Sequence, residues 1–129
     1  FENIVETIEM VKAKQITAPA EFIEFGAPAL TGLCNGCGSS QSKFDFVPDS
    51  IYGLKIKPAC HIHDFQYYQG KTIEDKQEAD RRFLNNMLRL IEADTNRIRK
   101  FIKVLMRRRA LKYYEAVNAF GGTAFWSGK

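Results

Sequence analysis

An all-α fold, a small helical domain, is what this sequence predicts, and three stretches carry that expectation. Residues 2–16 place Ile4, Val5, Ile8, Val11 and Ile16 among Glu and Lys, close to the i, i+4, i+7 spacing of an amphipathic helix. Residues 75–92 line up Ala79, Phe83, Leu84, Met87, Leu88 and Ile91 on one helical face. Residues 96–117 repeat the pattern, with Ile98, Phe101, Ile102 and Leu105 as the apolar face and the arginines outside.

The elements between them follow in order. Ala18-Pro19-Ala20 ends the first helix, and a short apolar stretch, Phe22 to Phe25, stops at Gly26 and Pro28. Residues 31–50 read as loop, with Gly32, Gly36 and Gly38, then Ser39, Ser40 and Ser42, and Pro48. Glycines at alternate positions let a backbone turn its carbonyls inward, and such a loop can hold a hard cation if a carboxylate helps. Residues 51–57 alternate imperfectly and are expected to be extended. Pro58 suits the first turn of a helix over the next eleven residues, and a turn follows at Gly70. Thr72 to Asp75 reads as the cap of the helix at 75–92. Gly121-Gly122 ends the third long helix, and the tail with Phe125-Trp126 has no period and is expected as a loop.

Composition bounds the reading. At 129 residues, 45% hydrophobic and 26% charged, the chain is ordinary for one globular domain. Its longest apolar run is far short of a membrane span. It begins at Phe1 without a signal-like segment, which fits a processed product or a trimmed chain. Net charge is +4, but eight of the 19 Lys/Arg fall within 97–112, where there is no acid, leaving 11 basic against 15 acidic residues elsewhere. A basic patch on a mildly acidic body suggests an anionic partner, a membrane surface or nucleic acid; the plainer alternative is a solvated helix face. Cys34, Cys37 and Cys60 allow one disulfide and one free thiol. No second Cys-x-x-Cys or His pair completes a zinc site with Cys34 and Cys37, so a loop staple is the better expectation.

The chemistry-bearing stretch is Cys60-His61-Ile62-His63-Asp64-Phe65-Gln66-Tyr67. On a helix His63, Asp64 and Tyr67 share a side, since neighbours lie only about 100° apart. They offer a base, a cation ligand and an orienting hydroxyl. His61 points to the opposite side, so zinc shared with His63 is unfavourable and His61→Ala is expected to do little to turnover. A His-Asp pair on a helix is more often structural than catalytic, so the rest of the chain must supply matching parts. Asp80 does: it edges into the apolar face of its helix, where a carboxylate needs a partner, and the preceding helix offers one across a short antiparallel turn.

Together these residues resemble the secreted phospholipases A2. Cys60-x-x-His63-Asp64-x-x-Tyr67 looks like the family's active-site helix, Cys37-Gly38 like part of its calcium loop, and Asp80-Arg81 like the carboxylate that orients the catalytic His. Only 17 positions separate His63 from Asp80, so the chain looks like the small helical branch found in prokaryotes and fungi. The resemblance covers roughly residues 32–92. It implies a single domain over 1–129 with two antiparallel active-site helices and a calcium-binding loop. It implies a Ca²⁺-dependent hydrolase of lipid degradation that cleaves the sn-2 ester of glycerophospholipids. His63 is then the general base, Asp80 its partner and Tyr67 a donor to Asp80. Asp64 is the side-chain ligand of Ca²⁺, joined by carbonyls of Gly36, Gly38 and Ser40, with the Gly38 N–H at the oxyanion. A Cys37–Cys60 disulfide would tie loop to helix, leaving Cys34 spare. A secreted protein or delivered toxin domain is implied, acting on a phospholipid membrane surface through Arg107, Arg108 and Arg109, with no nucleic acid and no obligate protein partner expected. The alternatives are a catalytically inactive phospholipase A2-like membrane-binding or toxin module, and a basic helical nucleic-acid-binding domain.

Overall fold

A computed structural model describes residues 2–34, 47–127 and 129, with side chains of the first helix described from Ile4 onward. Helix α1 spans Glu2–Lys12 and stops short of the expected end at residue 16. Lys14 takes a positive φ of 62°. The Lys14 N–H donates to the Val11 carbonyl and the Gln15 N–H to the Met10 carbonyl, both at 3.0 Å. These two bonds satisfy the last carbonyls of the helix and turn the chain back.

Helix α2, Ala20–Phe25, ends at Gly26, whose φ of 84° suits glycine. The next segment corrects the sequence reading. Pro28 does not stop a helix but stands in the first turn of α3, Ala27–Leu33, where its missing N–H removes no bond. Residues 31–33 are therefore helical. Phe22 and Leu30 bury these two helices against the core.

Strands β1, Ser50–Ile51, and β2, Leu54–Lys55, form a minimal antiparallel hairpin. Its turn residues Tyr52 and Gly53 both have positive φ, 49° and 86°, the sign that matches the twist of a two-residue hairpin. Helix α4, Lys57–Gln69, carries Pro58 in its first turn as expected. Helix α5, Ile73–Ala93, opens with a capping box: the Asp75 N–H donates to Thr72 Oγ1 at 3.1 Å and the Thr72 N–H to Asp75 Oδ2 at 3.2 Å. The two helices run antiparallel, since His63 packs on Phe83 while Tyr67, one turn later, lies near Lys76.

Helix α4 lies between α1 and α5, so it has apolar neighbours on two sides, and both of its histidines are buried. His61 faces α1, away from the α5 side to which His63 turns, as expected. Its ring is 2% exposed and its Nδ1 lies 2.8 Å from the Thr7 hydroxyl of α1. Burial, then Lys57, lowers its pKa to about 4, so it is a neutral structural residue whose removal is costly.

The third long helix also differs from expectation. A 3-10 turn, Arg99–Ile102, precedes α6, Lys103–Phe120. Its buried residues are Met106, Ala110, Tyr113 and Val117. Of the expected apolar face only Ile102 packs partly on the core; Ile98, Phe101 and Leu105 are exposed. Apolar residues stand on two sides of this helix, and the fold uses the side nearer its C-terminus. The tail is not a loop: α7, Gly122–Trp126, folds back and buries Phe125 completely. Phe125 meets the Tyr67 ring edge-on at 5.1 Å.

The described chain is thus mostly helical, with one two-stranded hairpin. Its core centres on Phe65, with the Phe22 and Phe25 rings edge-on at 5.3 and 5.1 Å. Truncating such a side chain to Ala costs about 3–5 kcal/mol. Asn86 of α5 clamps the segment after α1, accepting from the Thr17 N–H at 2.9 Å and donating to the Thr17 carbonyl at 2.8 Å. No helix among the described residues is long and apolar enough to cross a membrane.

Candidate functional site

The i, i+4 spacing of His63 and Tyr67 on α4 sets both side chains toward α5, where Asp80 stands on the packed face. His63 Nε2 lies 2.8 Å from Asp80 Oδ1, and the Tyr67 hydroxyl donates to the same oxygen at 2.7 Å. Lys76, one turn before Asp80, donates from Nζ to the other oxygen, Oδ2, at 2.8 Å. Its remaining donors reach the Val117 and Asn118 carbonyls of α6 at 3.3 and 3.2 Å. The carboxylate is fully buried, and it receives three donors. An unpaired charge there would be prohibitive; paired and hydrogen-bonded, it is tolerated.

The environment sorts these groups by protonation. Burial opposes ionisation of Asp80, but the donors from His63, Lys76 and Tyr67 outweigh it and hold the carboxyl below its usual range. Burial pushes the His63 ring down more than Asp80 pulls it up, so His63 is neutral at neutral pH. Burial and then the Asp80 charge push the Tyr67 phenol up, keeping it a donor. An ionised carboxylate accepts only, so the neutral imidazole carries its proton on Nε2 toward Asp80 and its lone pair on Nδ1. Phe83 stacks on the imidazole with centroids 4.7 Å apart, and Tyr67 tilts against it at 4.3 Å. The arrangement is a neutral base held in one tautomer by a buried anion.

His63 itself is 2% exposed, buried rather than cleft-facing among the described residues. Two surface depressions lie nearby, one between Gln66 and Glu78 and one between Tyr68 and Trp126; His63 lines neither. Asp64, the next residue, is half-buried. Its charge is felt by Cys34, whose thiol is pushed up by burial first and by Asp64 second. Cys34 is a free buried thiol whose Sγ–H donates to the His61 carbonyl at 3.2 Å. The end of α3 therefore abuts α4 beside His61 and Asp64. Cys60 is disulfide-bonded. Its expected partner Cys37, and the expected ligands Gly36, Gly38 and Ser40, lie outside the described residues. Among the described residues no three His, Cys, Asp or Glu side chains gather as a metal site.

The three arginines separate. Arg107 pairs with Glu92 at 2.6 Å, and Arg109 donates to the Tyr52 hydroxyl at 3.3 Å with its guanidinium over the Tyr52 ring. Arg108 is exposed.

Sequence reasoning missed Lys76, Phe83 as the stacking partner of His63, and Gly121. A signal for Lys76 existed: it precedes Ala79, Asp80 and Phe83 by three, four and seven positions, placing a charge on the core stripe of α5. Gly121 is required by close approach, because a Cβ there would stand 2.6 Å from the Tyr67 hydroxyl. Compared with known proteins, the chain matches no family model, no curated protein and no solved structure.

Proposed function

We propose that the protein is a calcium-dependent phospholipase A2 that hydrolyses the sn-2 ester of glycerophospholipids at a membrane surface. The observation that carries this reading is the buried His63–Asp80 hydrogen bond, with Tyr67 and Lys76 completing the carboxylate's shell. A water at Nδ1 would lose its proton to His63 as it attacks the ester carbonyl. Asp80 then stabilises the imidazolium across the 2.8 Å bond, as a triad carboxylate does. The proton passes next to the leaving alkoxide, releasing a fatty acid and a lysophospholipid.

The residue types of Asp64 and the stretch at 36–40 support a hard cation. Asp64 offers a half-buried carboxylate one position from the base, and Cys34, packed on α4, starts the expected loop from beside it. Asp64 with the carbonyls of Gly36, Gly38 and Ser40 would make an all-oxygen set of the kind Ca²⁺ prefers. Bound there, Ca²⁺ would supply Lewis-acid stabilisation of negative charge on the carbonyl oxygen. The Gly38 N–H is assigned to the same oxygen. A Cys37–Cys60 bridge and secretion, or delivery as a toxin domain, belong to the same reading, since disulfides persist in oxidising compartments.

The burial of His63 favours one second reading, a catalytically inactive phospholipase A2-like module that keeps the packing of the pair without the chemistry. Mixed-chain phosphatidylcholine vesicles, labelled at the sn-2 acyl chain, distinguish the two. Calcium-dependent release of sn-2 fatty acid, stopped by chelator, is expected; no release under any calcium concentration sinks the enzymatic reading.

A further inference from the structure

Helix α6 packs on the core through Met106, Ala110, Tyr113 and Val117. At about 100° per residue, Val104, Leu105, Arg108, Leu111, Lys112 and the acid Glu115 fall on the opposite side of the helix. There a soluble helix ordinarily presents polar groups. Instead Val104, Leu105 and Leu111 are 59%, 44% and 47% exposed, and the preceding turn adds Ile98 at 79% and Phe101 at 81%. Ile98 and Phe101 are the two most exposed large apolar side chains among the described residues, and Val104, Leu105 and Leu111 continue from them along α6.

The basic residues divide in the same way. Arg99 pairs with Asp94, Arg107 with Glu92, and Arg109 with Tyr52, all toward the body of the domain. Lys100, Arg108 and Lys112 are exposed among the apolar residues and have no ion pair among the described residues. Two classes of occupant are disfavoured by chemistry. A second copy of this surface would bring like charges together, because the exposed Lys100, Arg108 and Lys112 outnumber the one acid on this face, Glu115. A nucleic acid would use the charges and could stack on Phe101, but Ile98, Val104 and Leu105 have no counterpart in a phosphate backbone or a base face. Exposed aliphatics rimmed by Lys and Arg match the boundary between acyl chains and anionic headgroups.

We propose that the turn at 98–102 and the outward face of α6 dock on an anionic bilayer. Ile98, Phe101, Val104 and Leu105 enter the acyl boundary, while Lys100, Arg108 and Lys112 meet lipid phosphates. This names the membrane-contacting residues for the phospholipase reading and rests on that reading only for preferring lipid among anionic partners. It shifts the contact from the three consecutive arginines to a stripe that includes only Arg108 of them. Because insertion is apolar, part of the binding survives salt that screens the charges.

The test uses the full chain as a His63→Gln variant in chelator, so that neither hydrolysis nor calcium enters the reading. Partitioning is measured onto phosphatidylcholine vesicles with and without phosphatidylglycerol, at 0.1 M and 1 M NaCl. Ile98→Ser/Phe101→Ser is compared with the parent; both sites are exposed, and circular dichroism checks that the fold is kept. The double variant is expected to bind anionic vesicles at least about 30-fold more weakly, with residual binding abolished at 1 M NaCl. A Trp126→Phe/Phe101→Trp reporter should shift its emission to the blue on the vesicles and be quenched by brominated acyl chains. Equal partitioning of parent and double variant, or a reporter that stays in water on bound protein, would overturn the proposal. So would tighter binding to a DNA duplex than to anionic vesicles, which would assign the face to nucleic acid. If vesicles bind as expected but the wild type releases no fatty acid, the enzymatic reading alone fails.

Discussion

Lys76 Nζ lies 2.8 Å from Asp80 Oδ2, the carboxylate oxygen that His63 does not use. The ammonium is nearly fully buried and also bonded to the end of α6 through the Val117 and Asn118 carbonyls. One residue therefore holds the back of the carboxylate and ties the third long helix to the pair.

Replacing it tests both parts. Lys76→Met leaves a buried carboxylate short of its ammonium donor, and the expected loss of stability is about 3–5 kcal/mol. Lys76→Met/Asp80→Asn should recover much of that loss, because the uncompensated charge is gone. Lys76 also lowers the His63 pKa, so its removal should raise the His63 titration followed by NMR. A purely structural lysine would leave that titration where it was. Unfolding midpoints and the titration decide the matter together.

Two neighbouring glycines give a paired test of the Tyr67 position. A Cβ on Gly121 would crowd the Tyr67 hydroxyl and the Val117 carbonyl, whereas one on Gly122 meets nothing within 4 Å. Gly121→Ala is expected to cost about 1–3 kcal/mol and to push the phenol off Asp80. Gly122→Ala should stay within about 0.5 kcal/mol of wild type. Denaturant unfolding measures both, and equal effects would contradict the close approach.

The buried histidines make stability depend on pH. His61 has a pKa lowered to about 4 in the folded chain against 6.5 when exposed, so the unfolded chain takes up the proton first as pH falls. The stabilisation is complete above about pH 6.5 and is lost progressively down to about pH 4, by roughly 3 kcal/mol in all. His63 is lowered too and adds in the same direction, while Asp80 is held below its ordinary value and contributes only at lower pH. Urea midpoints at pH 7, 5.5 and 4.5 should fall steadily. His61→Gln should be less stable at pH 7 and show a shallower decline. Midpoints that stay level from pH 7 to pH 5 would mean that His61 is not buried neutral.

Much of the helical framework was legible because it follows single-period rules. The Thr72–Asp75 box, Pro58 in a first turn, and the placement of His63, Tyr67 and Asp80 on facing helices all come from spacing and capping. What escaped is what tertiary contact decides. Pro28 can stop one helix or start another, and only the packing of Leu30 settles which. The structural weight of His61 is not legible, because it comes from the contact of α1 with α4 through Thr7, which periodicity does not show. Helix α6 has apolar residues on two faces, and periodicity alone does not say which face the domain buries. Helix α7 is five residues long, too short for any period, and is held by the burial of Phe125.

The role proposed for His63 is that, held by Asp80, it takes the proton of the attacking water. Its most direct measurement is the rate of sn-2 fatty-acid release from phospholipid vesicles in calcium by wild type and by His63→Gln, with folding of both checked by circular dichroism. The expected result is calcium-dependent release by the wild type and a fall of at least about 10²–10⁴-fold in the folded variant. A folded His63→Gln protein that releases fatty acid at the wild-type rate would contradict the assignment.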